Sequence, residues 1–401
     1  MSIVKACEIV QERWDRRSTQ LLDFEFCYNK INKSFLASPA LLTGINPTVN
    51  GESLNSIRLK LILLYVSKYF PFAEKPILSL PSHNDWDTLP VCRKEDLSIY
   101  TRFGGFPYEG FRRHSTNGTT GNSVSYDFGP YSSEFSALFE RGITYPFGAG
   151  LRAFGMYTSD VFSKDEPQQV GMRNLTFCGV TLPYNQDQIE ILALEIMVGD
   201  YDFVFFHQAL IIPVCLRLQE LGFYAESTDV CTTGVRLYDH QKEMLKKVFG
   251  GSITEEMLCW DGGFSFYTDA NGVKHPTEGI CDYKVIDGMI RTAHYWDFAT
   301  VFLNYQSGDR IEFKDNVIHK VWRDIEVIDG GQDADALCKA VFERIKCDFQ
   351  LYEENNEIFV YTQYLRDLKE IADLFSLPVK PMESPKVVGV RRKIYPTLKL
   401  K

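Results

Sequence analysis

Residues Arg112 to Ser123, RRHSTNGTTGNS, crowd five hydroxyl side chains and two glycines into a dozen positions. Glycine lets a backbone turn tightly and approach a ligand, and exposed amides and hydroxyls donate hydrogen bonds to phosphate oxygens. In TNGTTG, Gly118 and Gly121 permit the turn, Thr116, Thr119 and Thr120 supply hydroxyl donors, and Asn117 adds an amide. This composition suits a phosphate clamp. It also suits a polar surface turn, so both readings stay open on composition alone. The loop has neither the GxxxxGK[ST] spacing of a P-loop nor the GxGxxG spacing of a dinucleotide fold. A second group, Cys259, His275 and Cys281, carries donors that zinc accepts. A closed structural zinc site takes four ligands, however, and buried packing is the competing reading.

The chain that must position these groups has 401 residues, 45% hydrophobic and 24% charged, with a net charge of -10. That is globular composition with enough length for a large core and two or three domains. A negative chain offers no basic footprint for a phosphate backbone, so a nucleic-acid partner is not expected. Apolar runs such as LKLILLYV and ALIIPVCL are too short for a bilayer span. The start, MSIVKACEIVQERWDRR, lacks the order of a secretory signal, and a cytoplasmic location is the expectation. The ten cysteines are scattered without a CxxC pair, which points to buried free thiols rather than a disulfide framework.

Periodicity assigns a helix to IRLKLILLYVSKYF and another to SEFSALFERGITYPFG. The middle alternates: NLTFCGVTL as strand, DQIEILALEIMVG as helix, DFVFFH as strand, QALIIPVCLRLQELGF as helix, DVCTTGVRL as strand and DHQKEMLKKVFGG as helix. Strands separated by helices of this length predict an α/β domain with parallel sheet flanked by helices. After Trp260 the pattern changes to short strands and loops, including GICDYKVIDG and TVFLNY. VWRDIEVIDG and DADALCKAVFERI then read as another strand and helix, and EIFVYTQ and LRDLKEIADLF follow. The expected division is a large domain over 1–309 and a small, mobile α+β C-terminal domain over 310–401.

HSTNGTTGNS resembles the phosphate loop of the adenylate-forming enzyme superfamily, whose pattern is close to SSGTTGxP. The likeness continues in order at LPVCRKEDL, VFGGSITEEMLCWDGG, NGVKHPTEG and FLNYQSGDRI, and is nearest to the phenylacetate-CoA-ligase and acyl-protein-synthetase branch. The resemblance implies that the 116–121 loop, Thr119 included, holds ATP phosphates. It places Cys259, Trp260, Gly262 and Gly263 of LCWDGG at the nucleotide or acyl pocket, with Asp261 in place of the usual glutamate near Mg²⁺. Trp260 has core filling as an equal alternative. His275 would bind the acid or orient Glu278, and Asp309 of YQSGD would accept hydrogen bonds from the ribose diol. The lysine near the end of these enzymes is matched here by Lys393, with Lys399 second, in a tail that reads equally as solvated basic residues. The usual arginine before the aspartate is replaced, since NYQSGD carries Gln306.

The reaction this implies is attack of a carboxylate on the α-phosphate of ATP, with pyrophosphate release and an acyl-adenylate. Transfer to an acceptor follows. Expected participants are an aryl or otherwise apolar carboxylic acid, ATP, Mg²⁺ and a thiol or amine acceptor, with CoA foremost and a carrier protein also open. Zn²⁺ and a homodimer remain options. The opposing class is a noncatalytic nucleotide- or acyl-binding protein, suggested by Asp261, Gln306 and the incomplete terminal motif.

Overall fold

The computed structural model describes residues 48–49, 51–69, 76–96, 112–115, 125–128, 152–157, 168–169, 175–258, 265–268, 271, 273–276, 281–294, 300, 302–315, 317–362, 367–388 and 394–399. Near the start, strands β1 (Thr48–Val49) and β2 (Glu52–Ser53) pair antiparallel and lead into helix α1 (Leu54–Tyr69). The Ser53 hydroxyl accepts the Ser56 amide at 3.1 Å, which satisfies one open donor of the first turn. Strands β3 (Arg112–Ser115) and β4 (Ser125–Phe128) form a separate antiparallel pair on either side of the hydroxyl-rich loop. The expected helix SEFSALFERGITYPFG and the loop itself lie outside the described residues.

The large domain is built on β5 (Ala153–Tyr157), β6 (Gln168–Gln169), β7 (Leu175–Gly179), β8 (Phe203–His207), β9 (Asp229–Thr233) and β10 (Ile253–Leu258). It continues through β11 (Ser265–Thr268), β12 (Lys274–Pro276), β13 (Cys281–Ile286), β14 (Met289–His294), β15 (Tyr305–Lys314) and β16 (Val317–Arg323). These twelve make one sheet in the order β13-β14-β15-β16-β12-β11-β10-β9-β8-β5-β7-β6. Strands β7, β5, β8, β9 and β10 run parallel, and β10 through β16 pair antiparallel.

Helices α2 (Gln186–Gly199), α3 (Ile211–Glu220) and α4 (Asp239–Lys246) alternate with the parallel strands as the periodicity predicts. At the start of α2, the Asn185 side chain accepts the Gln188 amide at 2.8 Å and Gln188 Oε1 accepts the Asn185 amide at 3.2 Å. This reciprocal cap satisfies two open donors. All five residues of β8 are buried, the pattern of a strand covered on both faces.

The second sheet joins β17 (Phe349–Glu354), β18 (Glu357–Thr362), β19 (Val379–Pro381) and β20 (Thr397–Lys399) in the order β19-β18-β17-β20. Helix α5 (Ala334–Ile345) precedes it, capped by Asp333, whose Oδ1 accepts the amides of Asp335 (2.9 Å) and Ala336 (3.1 Å). The architecture is thus α/β with a larger parallel-sheet domain and a smaller mixed-sheet domain.

Residues 309 and 310 lie within β15, and its hairpin partner β16 carries the large sheet to Arg323. Two expectations change in detail. VWRDIEVIDG is strand only to Arg323, because Glu326 Oε1 accepts the Arg323 amide (3.2 Å) and the chain turns into a 3-10 segment, Asp324–Glu326. Among the described residues of TVFLNY only Tyr305 enters a strand. Asn304 takes φ +48° while its side-chain Nδ2 donates to the carbonyls of Asp87 (3.1 Å) and Leu89 (2.5 Å). The described residues of LRDLKEIADLF include α6 (Leu368–Ile371) and a 3-10 turn, Ala372–Leu374.

One cluster of buried apolar side chains runs through both domains, from Phe154, Phe206 and Leu245 to Cys338, Phe342, Leu351 and Leu398. The described cysteines, Cys92, Cys178, Cys215, Cys231, Cys281, Cys338 and Cys347, are buried, and none is in a disulfide among the described residues. No helix among the described residues is long and apolar enough to cross a membrane.

Candidate functional site

In open α/β sheets ligands bind in crevices outside the carboxyl ends of the strands. At that edge β8 ends in His207 and β9 in Thr233, both buried. His207 Nδ1 accepts the Ala209 amide at 3.4 Å. Gly234 follows with φ +100°, and a Cβ there would come within 2.8 Å of His207 Nε2. The glycine therefore serves two needs: a backbone angle that other residues disfavour and a close pass over the imidazole. On the neighbouring strand, Glu255 accepts the Leu237 amide at 2.8 Å and pairs with Lys274 at 2.8 Å, tying the β9 exit to β10 and β12.

Asp309 lies on β15 opposite Arg323 of β16. It is 1% exposed, and the guanidinium grips both carboxylate oxygens, Nε to Oδ1 at 2.6 Å and Nη2 to Oδ2 at 3.3 Å. A two-point pair of this kind fixes the plane of the carboxylate. A carboxylate has about four acceptor positions, and the pair takes two of them. The Arg323 side chain also hydrogen-bonds the hydroxyl of Tyr395, whose pKa burial pushes up to about 12 despite that arginine. Tyr395 stands two residues after Lys393. Next to this hairpin the LPVCRKEDL segment is seated on the FLNYQSGDRI segment. Cys92 donates its amide to Asn304 O (3.0 Å) and accepts the Gln306 amide (2.9 Å).

The other expected residues fall out as follows. Thr116, Asn117, Gly118, Thr119, Thr120, Gly121, Cys259, Trp260, Asp261, Gly262, Gly263 and Lys393 lie outside the described residues. His275 is on β12 and Cys281 opens β13, with β14, β15 and β16 between these strands in the sheet order. Burial pushes the Cys281 thiol well above its ordinary pKa. Among the described residues no group of three or more His, Cys, Asp and Glu side chains is placed to hold a metal. Lys399 pairs through Nζ with Glu353 Oε1 at 2.5 Å, on the small sheet.

Sequence reading missed Arg323, Tyr395 and His207. A signal for Arg323 was present. The Asp-Asn pair in FKDNVI is turn chemistry, Asp315 has φ +53° there, and a hairpin folded about it, with a register shift between Glu312 and Phe313 that the turn does not foretell, sets Asp309 across from Arg323.

No family model and no curated protein matches the chain. Among solved structures it is similar to 2-hydroxyisobutyryl-CoA ligase in the postadenylation state in complex with R3-HIB-AMP. The TM-score is 0.61 at 11% identity over 96% of this chain and 91% of the other. The chain has the fold of that ligase. The same ligase with 2-HIB-AMP in the postadenylation state gives 0.58 at 12% identity over 92% and 90%. In its thioesterification state, with 2-HIB-AMP and CoA, it gives 0.52 at 13% identity over 86% and 88%.

Proposed function

We propose that the chain is an AMP-forming carboxylic acid ligase of the adenylate-forming superfamily, on its phenylacetate-CoA-ligase-like side. It activates an aryl or otherwise apolar acid with ATP and passes the acyl group to a thiol or amine, CoA foremost. The observation that carries this reading is the Asp309–Arg323–Tyr395 contact. It joins the carboxylate expected to orient ribose to the C-terminal segment in which Lys393 lies. The shared fold with a ligase described in complexes with acyl-AMP and CoA supports it.

Attack of a carboxylate on a phosphate brings two anions together, so the protein's tasks are alignment and charge neutralisation. In this scheme the Thr116–Gly121 loop holds phosphate oxygens, Asp309 accepts from the ribose hydroxyls, and Lys393 neutralises charge on the reacting carboxylate and phosphate. The acid lies toward Cys259, Gly262, Gly263 and His275, beside Trp260. Mg²⁺, if held by Asp261, would balance phosphate charge. The described residues offer no further ligand cluster for it, and no step here depends on it. We place the division between domains after Arg323, where the large sheet ends.

The engaged, buried state of Asp309 favours a second reading, a noncatalytic nucleotide- or acyl-binding protein. Acid-dependent ATP–pyrophosphate exchange with Mg²⁺ separates the two, screened over aryl, amino and medium-chain acids with Thr119→Ala and Asp309→Ala as controls. Exchange with one acid, lost in both variants, upholds adenylation. Folded protein that binds ATP without exchange on any acid moves the assignment to the binding protein.

A further inference from the structure

Arg236, two residues beyond Gly234, has no part in the chemistry above, yet it anchors a buried network across the domain junction. Its side chain is 10% exposed, and it reaches Glu326 Oε2 through Nε at 2.7 Å and Asp335 Oδ2 through Nη1 at 2.7 Å. Its guanidinium carbon lies 4.3 Å from the centre of the Tyr238 ring. Burial works against its charge, but Tyr238, Glu326 and Asp335 more than restore it, and its pKa rises.

The Tyr238 hydroxyl donates to the same Glu326 oxygen at 3.0 Å and meets the Thr397 hydroxyl at 3.2 Å. Thr397 in turn donates to the Glu326 carbonyl at 2.8 Å. Through its other oxygen Glu326 accepts the Arg323 amide, and Arg323 grips Asp309. A continuous chain, Asp335, Arg236, Glu326, Arg323, Asp309, thus links the β9 exit to the expected ribose carboxylate. Strand β20 is tied to it at Thr397.

A buried ion pair is a poor device for stability, since apolar side chains of similar volume do as well or better. What a planar fork with two fixed acceptors supplies is one orientation. We infer that Arg236 is a positioning residue: it fixes the small sheet on the β9 exit and, through Glu326 and Arg323, sets the orientation of Asp309. The second half of this inference rests on the ribose-binding reading of Asp309.

The test uses the full chain with two variants. Arg236→Lys keeps the charge and loses the fork. Arg236→Met with Glu326→Met replaces the pair by apolar volume and guards against an unfolded product. Hydrogen–deuterium exchange is followed at residues 394–399, with residues 203–218 as internal reference. ATP–pyrophosphate exchange gives KM for ATP and for the acid separately. In Arg236→Lys amides at 394–399 are expected to exchange about 100-fold faster against an unchanged reference, the scale of a broken buried pair, and in the apolar variant about tenfold faster, the scale of the hydrogen bonds that Glu326 no longer accepts. KM for ATP is expected to rise about tenfold with KM for the acid unchanged, the scale of one lost charge-assisted hydrogen bond. Wild-type protection at 394–399 in both variants overturns the docking role. Equal changes in the two KM values overturn the link to Asp309. If the wild-type chain exchanges with no acid, the proposed activity falls, while the deuterium measurement still decides the docking.

Discussion

Strands β8 and β18 solve the same burial problem in different ways. FVFFH of β8 is buried at every position, whereas EIFVYT of β18 alternates between partly and fully buried residues. The first is an interior strand of a parallel sheet and the second presents one face to the core. Yet Val204 and Phe206 of β8 share one cluster with Ile358 and Val360 of β18, joined where α4 meets α5 and β17, while Phe203 and Phe205 pack in another. His240 of α4 marks the seam, with ring centres 5.4 Å from Phe342 and 5.5 Å from Phe349. Sheets with opposite burial patterns can therefore share a core, and domain mobility has to be judged at the seam.

The largest effect tests that shared core. Phe206→Ala removes a fully buried ring that meets Phe249 edge-on at 5.8 Å and should cost about 3–5 kcal/mol in urea denaturation. Leu351→Ala, fully buried on β17, should cost about 2–5 kcal/mol. Both are expected to shift one common transition seen by far-UV and near-UV circular dichroism. Two separable transitions, each moved by only one variant, would break the single-core comparison.

Next comes the choice of lysine. Lys393→Ala should lower pyrophosphate exchange about 100-fold, the usual scale for losing one charge-stabilising donor. Lys399→Ala, which removes a partner of Glu353 on the small sheet, should leave the rate within about threefold. The reverse pattern transfers the role to Lys399.

The seam also predicts a pH dependence. Burial lowers the His240 pKa to about 3, and Nδ1 is buried without a hydrogen-bond partner among the described residues. The unfolded chain binds this proton near the ordinary value of about 6.5, so between the two values the unfolded state holds more protons. Stability is therefore full above about pH 6.5 and falls as pH drops toward the folded value. From pH 6.5 to 5 the loss should be about 2 kcal/mol. Urea midpoints at pH 7 and 5 should show this component in the wild type and lack it in His240→Phe. An identical pH response in the two proteins would remove His240 as its cause.

The smallest effect lies on the solvent side of the seam. Lys339 of α5 pairs with Glu243 of α4 at 2.7 Å, with both side chains substantially exposed. Lys339→Ala should change stability by less than about 1 kcal/mol. A larger loss would mean that the seam depends on surface charge as well as on packing.

Much of the fold was legible locally. The alternation of DFVFFH, QALIIPVCLRLQELGF, DVCTTGVRL and DHQKEMLKKVFGG reappears as β8, α3, β9 and α4, because apolar spacing and turn residues act over a few neighbours. Local reading failed where a side chain captures backbone: Asn304 turns out of strand geometry to reach the distant 87–89 segment, and Glu326 accepts the Arg323 amide three residues back and ends the strand of VWRDIEVIDG there.

The site divides in the same way. Residue types and order marked the Thr116–Gly121 loop and Asp309 as chemistry worth testing, since hydroxyls, amides and carboxylates carry their bonding capacity wherever they stand. Which charge meets Asp309, which tyrosine meets that charge, and which arginine stands behind them depended on strands and loops far apart in sequence. Arg323, Tyr395 and Arg236 are ordinary surface-type residues in one dimension. Only the β15–β16 hairpin and the packing of β20 against Tyr238 and Glu326 bring them together, because a buried charge settles where folding supplies its partner.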